Sequence, residues 1–475
     1  MIRTPPTTPS RNLRRDVYAA GAAALLVAAS VLAGRHIEDT SRTLFVDWPP
    51  LLASWGPHLG PGTPAAVLVA VATVAHGPVL AARLPWRALL PAAWGTAMVW
   101  ILSLALVDGW HRGIARRLTT RHEYLRVIDR FDDIPAALRG FTGHILLDSP
   151  DNWPAHVAGH PPAATLTFVL LDRIGLRGGG WAGTWCVVVG ATACVAVLVA
   201  IRALADEALA RRAAPFLVLA PAAVWMGTSA DAYFAAVAAW AVAFSALAVT
   251  RRSPGWAGAS GLLLGLACYL SYGLTLVSLI TAAALVLGRR GLRERPVLPA
   301  ALLAGLAVVP TLFTLAGFDW WEAYRLLVTR YGQGAGGIRP YGYWVWANLA
   351  CAVLSTGLAT AAGLRRAAAV LVRHREARGT APHATHGPQP PGCPRPPRGV
   401  GPRADLRLAC LVCAALAALL VADLSGMSKA ETERIWLPFA LWLLPACAFL
   451  TRPRLWLTAQ ALLALLVNHL LLTGW

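Results

Sequence analysis

A polar stretch from residue 109 to residue 162 concentrates ionisable side chains in an otherwise apolar chain. It carries six of the chain's 23 acidic residues and five of its 12 histidines. Carboxylates can act as general bases toward a hydroxyl group. Ionisable groups crowded at a membrane surface indicate a reaction centre.

The first candidate residues in this stretch are Glu123 and Tyr124, within the sequence RHEYLRVIDRFDD. This segment can be helical, and Glu123 is a candidate general base for an acceptor hydroxyl, with Tyr124 as a substrate-binding neighbour. The alternative is a solvated helix in which Arg121 and Arg126 are local partners of the carboxylate.

A second group lies in LLDSPDNWPAHVAGHPPA, where Asp148, Asp151, His156 and His160 fall close together. The prolines of this segment predict an extended, turn-rich path that projects side chains into a cavity. The alternative is an ordinary surface loop in contact with water. The two histidines are four residues apart, but the neighbouring prolines and glycine argue against a shared helix face. The sequence therefore indicates no metal site, and it leaves open whether a divalent cation assists.

Two further candidates come from later in the chain. Lys429 and Arg434 in SGMSKAETERIWLPF could hold the phosphate of a lipid, because arginine offers two parallel hydrogen bonds and lysine a point charge. One alternative is an interfacial anchor with Trp436 as its aromatic residue. Another is that Arg434 pairs with Glu431 or Glu433 and only orders the loop. Asp231 in TSADAYF is a candidate substrate ligand, or else a simple helix cap.

Composition places these residues in a polytopic membrane protein. Hydrophobic residues make up 57% of the chain and charged residues 14%, against roughly 25% charged residues in soluble domains. The mean hydropathy is +0.55. The net charge of +19 is typical of basic cytoplasmic loops and does not indicate a nucleic-acid partner.

The apolar runs predict an all-α architecture with about thirteen transmembrane helices in a cell membrane. The alternation of basic loops predicts a cytoplasmic N-terminus. The expected spans lie at 16–34, 64–82, 88–108, 181–201, 213–229, 231–250, 256–271, 273–288, 297–317, 342–363, 406–422, 435–450 and 455–473.

These spans divide the chain into five expected regions, of which the second is the candidate catalytic part. The apolar segment 161–176 is short and contains charges, which predicts a re-entrant or interfacial helix in place of a span. The regions are an anchor with an added hairpin at 1–108, a large external loop containing short interfacial helices at 109–180, a transmembrane core at 181–363, a cytoplasmic Pro-rich basic linker at 364–405 and C-terminal spans at 406–475.

Taken together, these pieces resemble the GT-C superfamily of integral-membrane glycosyltransferases. The motifs that carry the resemblance are HEYL, GHPPAATLTFVLLDRIGL, LAPAAVWMGTSADAYF and ERIWLPF, the last being similar to a late element of actinobacterial members. The similarity is clearest over Arg121–Trp240. Two features depart from the family pattern: the usual Asp-Glu pair is His122-Glu123 here, and three spans precede the loop where the common plan has one.

The resemblance implies an enzyme that transfers a sugar from a polyprenyl-phosphate donor to an acceptor at the outer membrane face. It implies a carboxylate base among Glu123, Asp148 and Asp151, and a cation that stabilises the leaving lipid phosphate. A lipid-linked sugar and membrane lipids would be the partners, and the oligomeric state is not indicated. The alternative is a transporter or lipid flippase, for which the sequence shows no clear internal repeat.

Overall fold

The computed structural model describes residues 9–379 and 402–474 of the chain. It is an all-α structure with one small pair of strands, as the apolar runs predict. The Pro-rich centre of the expected linker, residues 380–401, lies outside the described residues.

Seven helices in the described ranges are long and apolar enough to cross a membrane. They lie within α1 (Pro9–Ser41), α2 (Thr63–Arg83), α3 (Trp86–Ala105), α7 (Gly178–Leu204), α10 (Ala230–Arg251), α14 (Val297–Leu315) and α19 (Pro402–Leu424). α10 is the most enclosed of these helices, because 89% of its most apolar window is buried inside the protein. The candidate site is built against its first turn.

Other helices that follow α7 are shorter, broken or less apolar. These are α8 (Glu207–Val218), α9 (Ala223–Met226), α11 (Pro254–Leu270), α12 (Val277–Leu287), α17 (Tyr341–Thr356), α18 (Leu358–Gly379), α20 (Thr432–Ile435), α21 (Leu437–Ala440) and α22 (Pro453–Leu470), with 3-10 turns at Tyr272–Leu276 and Leu444–Phe449. α17 and α18 are bent by 104° and could count together as one broken span.

The structure therefore does not show thirteen uninterrupted spans. The expected span 213–229 breaks between α8 and α9 at Pro221, and the expected span 435–450 is a series of short helices. The bend between α17 and α18 falls at Gly357, whose φ of +84° is accessible to glycine because it has no Cβ. The expected linker spans 364–405. In the structure, α18 continues to Gly379 and α19 starts at Pro402, so both helices extend into the expected linker.

The region between α3 and α7 is a set of short helices, as the sequence predicts. It contains α4 (Ile134–Arg139), α5 (Ala155–Gly159), α6 (Ala163–Arg173), a π-turn at His111–Ala115 and 3-10 turns at Leu106–Asp108, Arg117–Thr119, Tyr124–Phe131 and Phe141–His144. At about 1.5 Å per residue, the 11-residue α6 is too short to span a bilayer. Short helices also lie elsewhere in the chain. α13 (Arg289–Glu294) connects α12 to α14, and α15 (Trp320–Gln333) and α16 (Ala335–Ile338) lie between α14 and α17.

Glycines allow the backbones of neighbouring helices to approach closely. A Cβ added at Gly261 of α11 would lie 2.0 Å from the carbonyl oxygen of Leu302 in α14. A Cβ at Gly305 would lie 2.1 Å from the carbonyl oxygen of Gly258. Small residues pack membrane helices in this way because lipid supplies little hydrophobic drive for association.

α1 is tied to α18 by a buried ion cluster. The Asp16 side chain is fully buried, and its carboxylate accepts hydrogen bonds from Arg365 at 2.6 and 2.9 Å. It also accepts from Arg366, at 2.6 Å for the shortest contact. One carboxylate thus faces two guanidinium groups.

The two strands join distant parts of the chain. β1 (Ala53–Trp55) pairs antiparallel with β2 (Leu471–Thr473), with Ala53 opposite Thr473. Arg117 reinforces the junction by donating to the Thr473 carbonyl at 3.0 Å and to Asp108 at 2.8 Å.

Candidate active site

The centre of the candidate site is the guanidinium of Arg434, which is buried among acidic and histidine side chains. Its Nη1 donates to Oδ2 of Asp231, and its Nη2 donates to Oε2 of Glu431 at 2.7 Å. Nη2 also lies 3.3 Å from Nε2 of His156. Burial lowers the pKa of Arg434, but the two carboxylates outweigh this effect and raise it, so the group remains a cation.

Asp231 is held at the start of α10 by a serine cap. The backbone N–H of Asp231 donates to Oγ of Ser229 at 3.0 Å, and this hydroxyl donates back to Oδ2 of Asp231 at 3.0 Å. A carboxylate in the first helical turn is also favoured by the positive end of the helix dipole. The sequence TSADAYF therefore both caps the helix and presents an acid to Arg434.

A tight turn before α20 positions Glu431 and Arg434. Ala430 and Glu431 both adopt left-handed backbone conformations, with φ of 73° and 62°. Such conformations cost roughly 1–2 kcal/mol per residue for side chains with a Cβ. The turn places Glu431, whose side chain is 24% exposed, three residues before Arg434 and in contact with it.

A glutamate–histidine pair approaches Arg434 from the region between α3 and α7. Nδ1 of His156 lies 2.9 Å from Oε1 of Glu123. The backbone N–H of His156 donates to the carbonyl oxygen of His122 at 3.0 Å, which fixes α5 against the residue before Glu123. The Glu123 side chain is 3% exposed and the His156 side chain 14% exposed.

Tyr124 and His160 form the apolar side of this pair. Nδ1 of His160 donates to the His156 carbonyl at 2.8 Å and lies 3.0 Å from the Tyr124 hydroxyl. Burial lowers the pKa of His160 to about 4, so its imidazole is neutral at physiological pH. Burial also raises the pKa of the Tyr124 hydroxyl, and nearby Asp231 adds to the effect.

The structure thus brings together six of the nine residues that the sequence singles out. These are Glu123, Tyr124, His156, His160, Asp231 and Arg434. His156 lies within α5 and His160 caps its end, so this segment is more helical than its prolines predict.

Three residues that the sequence singles out have other contacts. Asp148 is exposed and accepts a hydrogen bond from Gln333 at 3.3 Å. Asp151 is exposed, and its backbone carbonyl accepts from Arg130 at 3.0 Å. The Lys429 ammonium donates to the Gly336 carbonyl at 2.8 Å.

A small cleft lies beside Asp231, between the start of α10 and the segment around α20 and α21. Its wall combines hydroxyl groups with apolar and aromatic surface, which suits an amphiphilic ligand. The residues that line it include Asp231, Phe234, Ser271, Leu274, Ser428 and Trp436. Within the described ranges, no group of three or more His, Cys, Asp or Glu side chains is arranged to hold a metal ion.

Next to Arg434, Glu433 points into a separate buried environment. Its side chain is fully buried, and Oε1 accepts a hydrogen bond from the Leu52 backbone at 3.3 Å. In the described part of the chain, its Oε2 has no hydrogen-bond partner. Burial raises the pKa of Glu433 to about 7.

This raised pKa predicts a pH-dependent stability. The unfolded chain releases the Glu433 proton near 4.5, whereas the folded protein holds it up to about pH 7, so stability is lost as pH rises through this window. We expect Glu433→Gln, which stays neutral, to unfold at a higher temperature than the wild type at pH 8. The difference should shrink at pH 5. Thermal unfolding in detergent at both pH values measures it.

Glu431→Gln is the matched control for this measurement. Burial raises the pKa of Glu431, but the Arg434 guanidinium outweighs burial and the net pKa is lowered. Its contribution to stability is therefore present above pH 4.5 and lost as pH falls. Glu431→Gln should lower the unfolding temperature at pH 8, and a lower value for Glu433→Gln as well would contradict the prediction.

Neither a family model nor a curated protein sequence matches the chain. Among solved structures, it is similar to an oligosaccharyltransferase from Archaeoglobus fulgidus complexed with zinc and sulfate. The two sequences are 14% identical and the TM-score of the two structures is 0.37. The matched region covers 77% of this chain and 53% of the oligosaccharyltransferase chain. A structure of the same enzyme tethered to an acceptor peptide is 11% identical in sequence and has a TM-score of 0.39. The matched region covers 75% of this chain and 49% of that chain. The chain spans about half the length of these structures. Because the TM-scores are below 0.5, the proposals below rest on the side-chain geometry.

Glu431 enters the sequence analysis only as a structural partner of Arg434, together with Glu433. It stands three residues before Arg434, a spacing at which side chains meet on one turn of helix. The structure shows the pair with Glu431. The pairing of Glu123 with His156 has no such spacing, because 32 residues separate them.

Proposed function

We propose that this protein is a membrane glycosyltransferase that moves a sugar from a polyprenyl-phosphate donor to an acceptor hydroxyl. The observation that carries the proposal is the buried Arg434 guanidinium, placed beside the Glu123–His156 pair. A transfer of this kind needs a cation for the leaving phosphate and a proton acceptor for the hydroxyl, close to each other. Three of the five proposed regions supply these groups: 109–180, 181–363 and 406–475.

In this proposal, Arg434 binds the lipid phosphate by its planar fork, and Asp231 and Glu431 hold the fork in place. The cleft beside Asp231 receives the first part of the prenyl chain against Phe234 and Trp436. Glu123 and His156 form the proton-accepting pair, and Tyr124 and His160 position it. Asp148, Asp151 and Lys429 remain proposed secondary contacts for the acceptor or the lipid.

Purified protein tested with a panel of polyprenyl-phosphate sugars checks this function. We expect release of polyprenyl phosphate that depends on an acceptor, together with transfer of the labelled sugar. Loss of the gene should also cause a lipid-linked sugar to accumulate in cells. Movement of an intact donor across vesicle membranes, without cleavage, would contradict the proposal and favour a flippase.

We also propose that the site faces the outside of the cell membrane and that the N-terminus is cytoplasmic. Single cysteines introduced at Thr142 and at Gly392 test this orientation in intact cells. A membrane-impermeant thiol reagent added outside the cells should react with the cysteine at Thr142 and not with the cysteine at Gly392. Native cysteines are first removed. Reaction of both positions from the same side would contradict this orientation.

A further inference from the structure

The contacts of His156 determine which of its nitrogens carries the proton. Arginine has hydrogen-bond donors and no acceptor, so Nε2 of His156, which lies 3.3 Å from Nη2 of Arg434, must accept. Nδ1, which lies 2.9 Å from the Glu123 carboxylate, must then donate. These two contacts therefore place the donating nitrogen, Nδ1, at Glu123 and the accepting nitrogen, Nε2, at Arg434.

The side chain that a substrate meets first is His156 rather than Glu123. The Glu123 side chain is 3% exposed, and its contact to Nδ1 places it behind the imidazole ring. The His156 side chain is 14% exposed. A carboxylate behind a histidine fixes the ring orientation and stabilises the imidazolium that forms when Nε2 takes a proton.

The contact of Arg434 that covers Nε2 is longer than the contact that the same guanidinium nitrogen makes to Glu431. Hydrogen bonds to charged acceptors are shorter and about twice as strong as neutral ones. The contact from Nη2 to the Glu431 carboxylate is 2.7 Å, whereas the contact to the His156 imidazole is 3.3 Å. An arriving phosphate would therefore displace the imidazole from Nη2 before it displaces a carboxylate.

We propose that His156 is the general base, that Glu123 positions it, and that Arg434 covers its Nε2 until the donor phosphate binds. This inference rests on the proposed function. It differs from the expectation that Glu123 itself takes the proton. It also means that the base becomes available only when the donor is in place.

The transfer step forms one bond at the anomeric carbon and breaks another. The acceptor oxygen forms a bond to the anomeric carbon of the sugar, and the bond between that carbon and the phosphate oxygen breaks. The proton of the acceptor hydroxyl moves to Nε2 of His156. Polyprenyl phosphate leaves with the bonding electron pair and is stabilised by Arg434. The imidazolium returns its proton to water after the product departs.

The pH dependence of this step reflects every ionisable group that faces His156. A carboxylate beside the ring favours the charged imidazolium, whereas the neutral amide of Glu123→Gln does not. The groups that face His156 are Glu123, Tyr124, Arg434, Glu431, His122 and His160.

Kinetics of His156→Gln and Glu123→Gln at saturating donor test the assignment. We expect His156→Gln to lose about 100-fold or more in rate, the usual contribution of a general base. Glu123→Gln keeps an oxygen that accepts from Nδ1, so it should lose less, and its rate should reach half-maximum at a lower pH. A Glu123→Gln rate at or below that of His156→Gln would overturn the assignment.

Three controls keep this test interpretable. His144→Gln removes another histidine of the same region, whose Nδ1 contacts the Pro150 carbonyl at 3.0 Å, and should leave the rate unchanged. His156→Asn replaces His156→Gln if the latter does not fold. Absence of turnover by the wild type counts against the proposed function, whereas an active wild type with unaffected His156 variants counts against this inference alone.

Nitrogen NMR of the protein, with its histidines isotopically labelled, tests whether Arg434 covers Nε2 of His156. We expect farnesyl phosphate to shift the His156 Nε2 resonance, because the Arg434 hydrogen bond is lost. Farnesol, which lacks the phosphate, should cause no such shift, and inorganic phosphate should cause it only at much higher concentration. An unshifted resonance with farnesyl phosphate bound would overturn the proposed role of Arg434.

Discussion

Arg434→Ala is expected to abolish sugar transfer and to destabilise the protein. The substitution removes the proposed phosphate ligand and leaves Asp231 and Glu431 without the cation between them. Breaking a buried ion pair by removing one partner costs about 3–5 kcal/mol. Donor titration and thermal unfolding of the purified variant measure the two effects separately.

Arg434→Lys separates phosphate binding from structural support. Lysine keeps the charge but not the planar fork, so it should retain more stability than alanine while still requiring more donor for half-maximal rate. Because the structure pairs Arg434 with Glu431, a purely structural role predicts that Glu431→Gln impairs the protein as much as Arg434→Ala. Unchanged apparent donor affinity in folded Arg434→Ala would reject the phosphate role.

Asp16→Ala is expected to lower the yield and unfolding temperature of the protein through a site unrelated to catalysis. The Asp16 carboxylate is fully buried and is shared by Arg365 and Arg366. Its loss leaves two guanidinium groups side by side without an anion, at a cost of about 3 kcal/mol or more. The unfolding temperature in detergent measures this effect.

Asp39→Ala provides the matched control for Asp16→Ala. Asp39 lies on the same helix, α1, but its side chain is exposed, so its loss should change the unfolding temperature little. The folded fraction of Asp16→Ala should bind the donor with normal affinity. Equal unfolding temperatures for Asp16→Ala and Asp39→Ala would show that the buried cluster contributes nothing.

Much of the architecture follows from the sequence because bilayer thickness imposes long apolar runs. The helices α1, α2, α3, α7, α10, α14 and α19 coincide with expected spans for this reason. Hydropathy does not reveal where a run is broken. The 104° bend falls at Gly357 and the interruption between α8 and α9 at Pro221. Residue type alone does not locate such breaks, because Pro78 and Pro310 lie inside unbroken helices.

The sequence predicts which types of residue form the candidate site, but it does not fully predict which individual residues come together there. In the sequence, Asp148 and Asp151 are equivalent to Glu123, because all three are acids in one polar region. The fold distinguishes them by bringing Glu123 to Arg434, 311 positions later in the chain, and leaving the two aspartates exposed. Pairings over such separations are set by tertiary packing, whereas the local pair Glu431–Arg434 follows from spacing.

The pairing of β1 with β2 imposes a parity on the topology. Two hydrogen-bonded strands lie on the same side of a membrane, so the chain between Trp55 and Leu471 must cross it an even number of times. Among the described helices of that interval, six pass the length and hydropathy test as single spans. If the bent pair α17–α18 is a seventh crossing, then an odd number of the remaining shorter helices must also cross. A topology that places β1 and β2 on opposite faces of the membrane is therefore excluded, whichever face is outside.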